Sequence, residues 1–268
     1  MRWWPSGGPW RHPDFLRLWG AQIASAFGSR ITRTALPIIA ILWSAALLSR
    51  IRAQEVPTPV AETETTVLGD IRLGFRASLG HPLVGPALLA DSVMYLFGGF
   101  FLALYMLLAL ETLGLSPATV GLIISVGGVG AFAGALLASP LQRLVGMGPA
   151  MVLSLAVGQA ANLFIPLALD AGRWAVPLLV LQQLLGDAFL GAYVIHAISL
   201  RQRVLPAAVL GRANATFHVM TGSMLPVGAL LAGPLVGALG MASTLWVGAC
   251  GGLLAAPVLL RSPLLKLR

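Results

Sequence analysis

The segment Pro82–Leu110, PLVGPALLADSVMYLFGGFFLALYMLLAL, is long and almost entirely apolar, and Asp91 is its only charged residue. A helix rises about 1.5 Å per residue, so roughly 20 apolar residues cross the hydrocarbon core of a bilayer. Five similar segments follow along the chain, at 116–140, 148–169, 174–199, 213–238 and 241–260. The sequence therefore predicts an all-α polytopic membrane protein whose six-helix transmembrane bundle covers 82–260.

The loops between these segments alternate in basic residues. One set holds eleven Lys and Arg residues, whereas the other set holds only Arg173. Basic residues concentrate in loops that stay in the cytoplasm, so we expect a multi-pass protein of the cell (inner) membrane with a cytoplasmic C-terminus. The eleven are Arg50, Arg52, Arg72, Arg76, Arg143, Arg201, Arg203, Arg212, Arg261, Lys266 and Arg268.

Composition supports a lipid environment and argues against several other classes of function. The chain is 57% hydrophobic and 10% charged, whereas about a quarter of a soluble domain is charged. The net charge of +8 is scattered over loops, so we expect no nucleic-acid partner. Cys250 is the only cysteine, which excludes an internal disulfide. The four histidines lack metal-ligand spacing, and no Ser/His/Asp set is evident. We predict no enzyme activity, no cofactor and no metal site.

The chain divides into five parts. We predict an interfacial tail at 1–13, a first transmembrane element at 14–49, a cytoplasmic linker at 50–81, the bundle at 82–260 and a cytoplasmic tail at 261–268. The N-terminus is polar and rich in Trp and Pro, which predicts no cleavable signal peptide. The element at 14–49 is anomalous, because a straight helix of that length measures about 54 Å. It is too long for one upright crossing and too short for two.

Asp187 is the strongest candidate for chemistry within the bundle. It lies near the middle of 174–199, where a carboxylate costs about 2.5–3.5 kcal/mol. Ionisable groups inside a bilayer are the default candidates for a transport pathway. Gln183 precedes it by four residues and shares its helix face. Asp187 either couples proton movement to substrate release or fixes helix packing as a neutral, hydrogen-bonded group; both interpretations stay open.

Asp91, Gln159 and Asn162 complete the predicted pathway for substrate or protons. Asp91 shares a face with Tyr95, and it either contacts substrate or packs the cytoplasmic end of its helix. Gln159 and Asn162 are three residues apart, so they face together. They either line a cavity or bond a neighbouring helix.

Pairs of glycines spaced by four residues predict close helix packing, since they let a neighbouring backbone approach. The three pairs are Gly130 and Gly134, Gly233 and Gly237, and Gly248 and Gly252.

Several stretches resemble the major facilitator superfamily, in particular its bacterial drug and siderophore exporters of the macrolide-efflux and enterobactin-exporter type. DFLRLWGAQIASAFGSRITRTALPIIAI (14–41) is similar to the first helix of that branch, and AISLRQRVLPAAVLGRANATFHVM (197–220) is similar to its loop between helices 10 and 11. GALLASPLQRLVG (134–146) resembles a degraded loop motif with Gln142 at the usual acidic position. The resemblance implies gating or topological roles for Gly134, Arg143, Gly146, Arg201, Gln202, Gly211 and Arg212, with Gly211 easing the turn into 213–238. For the last four residues, a purely structural role stays open.

A member of this superfamily has two six-helix halves with inverted repeats. Here LWSAALLSRIR (42–52) resembles the end of helix 6, directly after helix 1. The resemblance therefore implies that helices 2–5 and most of 6 are missing. The resemblance implies secondary active export of a small hydrophobic or amphipathic molecule in exchange for protons.

The rival hypotheses are an inactive deletion product and a non-transporting membrane scaffold that needs a partner half. The expected partners are the lipid bilayer, a small-molecule substrate and protons. Pairing in a homodimer or with another transporter half is a further possibility.

Overall fold

The computed structural model describes residues 67–267. The predictions for 1–13, 14–49 and most of 50–81 lie outside this range. Within it every regular element is a helix, which confirms the all-α fold. The α-helices are α1 Val67–Leu79, α2 Val84–Leu107, α3 Pro117–Val145, α4 Met147–Ala161, α5 Phe164–Leu167, α6 Ala175–Val204, α7 Ala207–Leu253 and α8 Ala255–Leu260. Shorter helical turns cover Leu108–Thr112, Ala168–Asp170, Gly172–Trp174 and Pro263–Lys266.

Five stretches of the described residues are long and apolar enough to span a membrane, as predicted for a polytopic protein. The last stretch contains 54 residues, about 80 Å if it were straight. It bends at Gly240, where φ is 82° and ψ is 167°, a backbone conformation that glycine adopts at little cost. The segment boundary predicted from the sequence, between 238 and 241, falls at the same point. The stretches are Val84–Thr112, Pro117–Val145, Met147–Asp170, Gly172–Val204 and Ala207–Leu260.

Short connections between the long helices make consecutive helices run antiparallel. The Ser116 hydroxyl accepts a hydrogen bond from the Thr119 N–H at 3.1 Å and Pro117 follows it, which together start α3. Gly146 alone separates α3 from α4, with φ at 88°. Leu267 lies at the start of α4, where its carbonyl accepts a hydrogen bond of 3.1 Å from the Gly148 N–H. The end of α6 lies there too, since Arg203 Nη1 donates to Met147 Sδ at 3.8 Å. We call this the basic end.

The most extensive packing joins α2 to α7 and α3 to α6. Glycines occupy both contacts, and a Cβ atom at any of them would collide with the opposite backbone. The predicted packing role of Gly130 and Gly134 is therefore confirmed. The contacts are Gly99 with Leu225, Gly228 with Leu96, Gly130 with Leu184 and Gly134 with Ala188.

The other two glycine pairs differ from each other. Gly248 faces the Phe100 side chain, and Gly252 faces Gln159. At Gly233 and Gly237, an added Cβ atom would have no atom of another helix within 4 Å among the described residues. The expectation of close packing is wrong for this last pair within the described part of the chain, because both glycines lie on an exposed face of α7.

Three apolar clusters form the core of the described residues: a small one that includes Leu88 and Phe217, and two larger ones at opposite ends of the bundle. The cluster at the basic end includes Met151, Leu155 and Leu200. The second includes Phe100, Leu108 and Leu179, from the end of α2 and the start of α6. Residues 159, 162, 182, 183 and 187 belong to neither cluster. The polar residues of α4 and α6 therefore fall between two well-packed layers, in the middle of the bundle.

Candidate functional site

A cavity of about 600 Å³ lies in this middle layer, a volume typical of small-molecule sites. Helices α2, α3, α4, α6 and α7 all contribute to its wall. Among the described residues that line it, Asp187 is the only charged one. Most of the remaining wall is apolar, and it includes Met94, Phe101 and Leu225. The cavity therefore combines a large apolar surface with a single carboxyl group.

Asp187 faces α3 at a position where α3 has no side chain. A Cβ atom on Gly127 would overlap Oδ2 of Asp187 and would lie 3.3 Å from Nε2 of Gln183. Both polar groups therefore point toward the same glycine, as their spacing of four residues predicts. Asp187 is half-buried, and no hydrogen bond joins its carboxyl group to another side chain or backbone group in the described part of the chain. Gly127 thus leaves room for a carboxyl group that has no fixed partner.

A chain of side-chain amides links α4, α6 and α7 at the same cavity. Gln159 Nε2 donates to the Gly252 carbonyl at 3.2 Å. Asn162 Nδ2 donates to Gln159 Oε1 at 2.8 Å. Gln182 Nε2 donates to Asn162 Oδ1 at 3.2 Å. Both predicted roles of Gln159 and Asn162 are present together, since these residues line the cavity and also bond neighbouring helices.

Gln183 lines a second cavity of about 330 Å³ rather than the first. Phe101, Asn162 and Gln182 line both cavities. The second cavity therefore adjoins the first, and Gln183 faces the part that is further from the basic end.

Asp91 lies apart from Asp187, in a buried cluster nearer the basic end. Its carboxyl group is 7% exposed and accepts a hydrogen bond of 2.6 Å from the hydroxyl of Tyr193, which is fully buried. Arg201 lies close enough to interact electrostatically with Asp91. These three residues line a small cavity of about 130 Å³. Asp91 therefore has fixed partners, which agrees with the packing role that its position in the sequence left open.

Arg201 connects α6 to the start of α7. Its Nε donates to Asn214 Oδ1 at 3.1 Å, and its guanidinium lies 4.1 Å from the centre of the Phe217 ring. This distance allows a cation–π interaction. Gln202, the next residue, is exposed. Arg201 therefore stabilises the packing of α6 against the start of α7, whereas the exposed Gln202 does not.

The turn between α6 and α7 differs from the prediction. Leu205 and Pro206 make it, with ψ values of 135° and 144°, and the extended conformation of Leu205 is the one that a following proline favours. Helix α7 begins at Ala207, so Gly211 lies inside the helix and not at its start. Arg212 contacts its own helix, where Nη1 donates to the Ala208 carbonyl at 3.2 Å. The assignment of Gly211 to the turn is therefore wrong.

The remaining residues of the loop motif lie along α3. Gly134 is a packing position against α6, Arg143 is exposed in the last turn of α3, and Gly146 provides the positive φ of the connection. Directly after Gly146, Met147 is buried and Gly148 lies against the backbone of Leu264. The chain therefore closes this connection by packing and not by charge.

Three residues of the site were not predicted from the sequence. Tyr193 is separated from Asp91 by 102 positions, and periodicity within one helix cannot reveal such a contact. Gln182 was overlooked beside Gln183, although a second amide in an apolar segment was a usable signal. Tyr105 lines the second cavity and gave no distinct signal among its apolar neighbours. No group of His, Cys, Asp and Glu suited to a metal ion occurs among the described residues.

Comparison with protein families, unlike comparison with individual proteins, identifies a family for this chain. No curated protein and no solved structure matches the chain at a significant level. The family model described as transmembrane secretion effector matches residues 18–268, which is most of the sequence and includes every helix described above. The length of the matched region and the helical membrane fold both agree with the predicted superfamily. The chain therefore belongs to the transmembrane secretion effector family, a group of transporters of the major facilitator type.

Proposed function

We propose that the protein exports a small amphipathic molecule across the cell membrane in exchange for protons, with Asp187 as the group that binds the proton. The observation that carries this proposal is the position of Asp187, the one charged residue among the described residues that line the 600 Å³ cavity. An apolar wall with a single carboxyl group favours neutral or cationic substrates over anionic ones. A proton and a cationic group compete for the same carboxylate, which couples their movements.

The surroundings of Asp187 support this role. A carboxyl group with fixed hydrogen-bond donors is held in one state, whereas one that faces a cavity gains and loses a proton as the cavity fills and empties. Asp187 has no such donor in the described part of the chain, and Gly127 leaves space beside it. Gln159 and Asn162 supply neutral amide groups to the same cavity, where they orient the polar parts of a substrate.

The direction of export and the orientation of the protein rest on other grounds. The resemblance to bacterial exporters supports export, and the basic loops support a cytoplasmic basic end. Arg143, Arg203 and Arg261 all lie at helix ends or in connections. We propose the cell (inner) membrane as the location, with the C-terminus in the cytoplasm.

A second copy of the chain completes the transport path in this proposal. Alternating access needs two halves that move around a shared site. We take the five described spans, the last of which bends at Gly240, as one six-helix half. Val194 and Ile195 line the cavity but are 41% and 38% exposed, so its edge reaches the bundle surface. In a Cys250→Ser background, Ile195→Cys should form disulfide-linked dimers in the membrane, while Val247→Cys, which is 39% exposed, should not. Equal cross-linking of both variants would argue against pairing through the cavity.

Transport is tested with the purified full chain in liposomes. With an acidic interior, wild-type protein should accumulate ethidium, and nigericin, which collapses the proton gradient, should abolish the accumulation. Protein-free liposomes are the control. Ethidium uptake at the protein-free rate would contradict the proposal and would favour the inactive product or the scaffold.

A further inference from the structure

The second cavity contains two buried polar atoms whose hydrogen-bonding capacity is unused. Oε1 of Gln182 and the hydroxyl of Tyr105 are buried and have no hydrogen-bond partner in the described part of the chain. Both residues line the cavity of about 330 Å³, and Gln182 is only 7% exposed. A buried polar group without a partner is unfavourable, because it has lost its hydrogen bonds to water and gained none. Such groups in one cavity point to a ligand that supplies the missing partner.

The chain of amide hydrogen bonds determines which atom of Gln182 is left without a partner. The Gly252 carbonyl only accepts hydrogen bonds, so the Gln159 group beside it must be the NH₂ group. Oε1 of Gln159 then receives the Asn162 NH₂ group. The Asn162 oxygen in turn receives the Gln182 NH₂ group. Each amide orientation follows from the previous one, and the last leaves the Gln182 oxygen unpaired. A residue that lines the cavity therefore carries a buried acceptor without a partner in the described part of the chain, and the orientation of its amide follows from a backbone carbonyl on another helix.

A single ordered water does not account for this space. One water occupies about 30 Å³ of liquid volume, far less than the 330 Å³ of the cavity. Asn162 and Gln183 add two further amide groups to the wall, and the other lining residues, which include Leu102, Met106 and Ile165, are apolar. The cavity also adjoins the Asp187 cavity through shared lining residues, and Tyr105 is near enough to Asp187 to interact with it electrostatically. One molecule can therefore occupy both cavities.

We propose that the second cavity is a substrate subsite that selects an apolar arm carrying a hydrogen-bond donor, such as a hydroxyl, an aromatic amine or an amide N–H. Gln182 Oε1 accepts the hydrogen bond of this donor, and the Tyr105 hydroxyl bonds the same polar group. This inference rests on the proposed function. It adds that the substrate has two polar features, a basic or neutral group near Asp187 and a donor near Gln182.

The test compares two lipophilic cations that differ in donors. Ethidium carries aromatic amino groups, whereas tetraphenylphosphonium carries no hydrogen-bond donor. Their binding to the purified full chain in lipid nanodiscs is measured for wild type, Tyr105→Phe and Gln182→Met. Tyr95→Phe is the matched control, because Tyr95 lines the first cavity and not the second.

We expect Tyr105→Phe and Gln182→Met each to weaken ethidium binding by about three- to tenfold, the value of one net hydrogen bond. The affinity for tetraphenylphosphonium should change by less than about twofold in these variants. Tyr95→Phe should change the affinities for the two cations by the same factor. If wild type binds both cations but the variants affect them equally or not at all, the subsite is wrong and the proposed function stands. If wild type binds neither cation, both proposals are wrong.

Discussion

Asp91 and Asp187 are carboxyl groups on two helices of the same bundle, and their surroundings differ in every respect that matters for chemistry. Asp91 is 7% exposed, accepts a short hydrogen bond from Tyr193 and has Arg201 nearby. Asp187 is half-buried, lines the 600 Å³ cavity and faces a glycine. Asp91 therefore lies among groups that stabilise its carboxylate, whereas the Asp187 carboxyl group is accessible to a molecule in the cavity.

This difference separates two uses of a carboxyl group inside a membrane. A buried carboxyl group with a hydrogen-bond donor and a nearby cation contributes to the specific packing of helices, and removing a partner leaves it uncompensated. A carboxyl group without a fixed partner contributes little to packing, yet its insertion still costs energy. The chain retains Asp187 at that cost, which is consistent with a role in binding.

Replacing Asp187 with Asn should lower proton-driven ethidium uptake by about tenfold or more. The carboxyl group is the one titratable charge among the described residues that line the cavity, and an amide neither binds a proton at this site nor attracts a cation. Uptake is measured in liposomes with a fixed pH gradient. Asp91→Asn is the matched variant and should keep most of the uptake. A larger loss in Asp91→Asn than in Asp187→Asn would reverse the assignment.

Replacing Tyr193 with Phe should destabilise the bundle by about 1–3 kcal/mol, because Asp91 stays buried without its donor. The free energy of unfolding is measured by titration with sodium dodecyl sulfate in mixed micelles. Tyr105→Phe removes a buried hydroxyl that has no hydrogen-bond partner in the described part of the chain, so its unfolding free energy should equal or exceed the wild-type value. Equal destabilisation by the two changes would show that the Asp91–Tyr193 hydrogen bond contributes nothing specific.

Replacing Gly127 with Ala should weaken ethidium binding by about three- to tenfold, since the new methyl group displaces the Asp187 carboxyl group. Folding should survive, because the displaced atoms are the free end of a side chain and alanine favours the helix. Gly128→Ala is the control at the adjacent position, where no other helix among the described residues has an atom within 4 Å of the added Cβ. Binding that is unchanged in Gly127→Ala would mean that the position of the Asp187 carboxyl group is unimportant.

Replacing Arg201 with Lys should cost about 1 kcal/mol of stability and leave ethidium binding intact. Lysine keeps the charge near Asp91 but loses the planar group that lies over Phe217 and the Nε–H that bonds Asn214. A double-mutant cycle with Asn214→Ala isolates the hydrogen bond through the unfolding free energy. Reduced binding at unchanged stability would place Arg201 in the substrate path.

Much of the fold follows from the sequence, because long apolar segments in lipid must satisfy their backbone groups within helices. The polar residues of the cavity were also visible, since Asp187, Gln159 and Asn162 interrupt apolar segments. Contacts between distant helices were not visible. The Asp91–Tyr193 bond joins residues 102 positions apart, and the free oxygen of Gln182 depends on a hydrogen-bonded chain across three helices. The turn was wrongly assigned to Gly211 because Pro206 already makes it.

The most direct test of the central claim is the number of protons released when ethidium binds. The purified full chain is mixed with saturating ethidium in a weakly buffered solution across a range of pH, and the released protons are measured with a pH-sensitive dye. Wild type and Asp91→Asn should release a proton over the same pH range, and Asp187→Asn should release none. Proton release that persists in Asp187→Asn and disappears in Asp91→Asn would contradict the account.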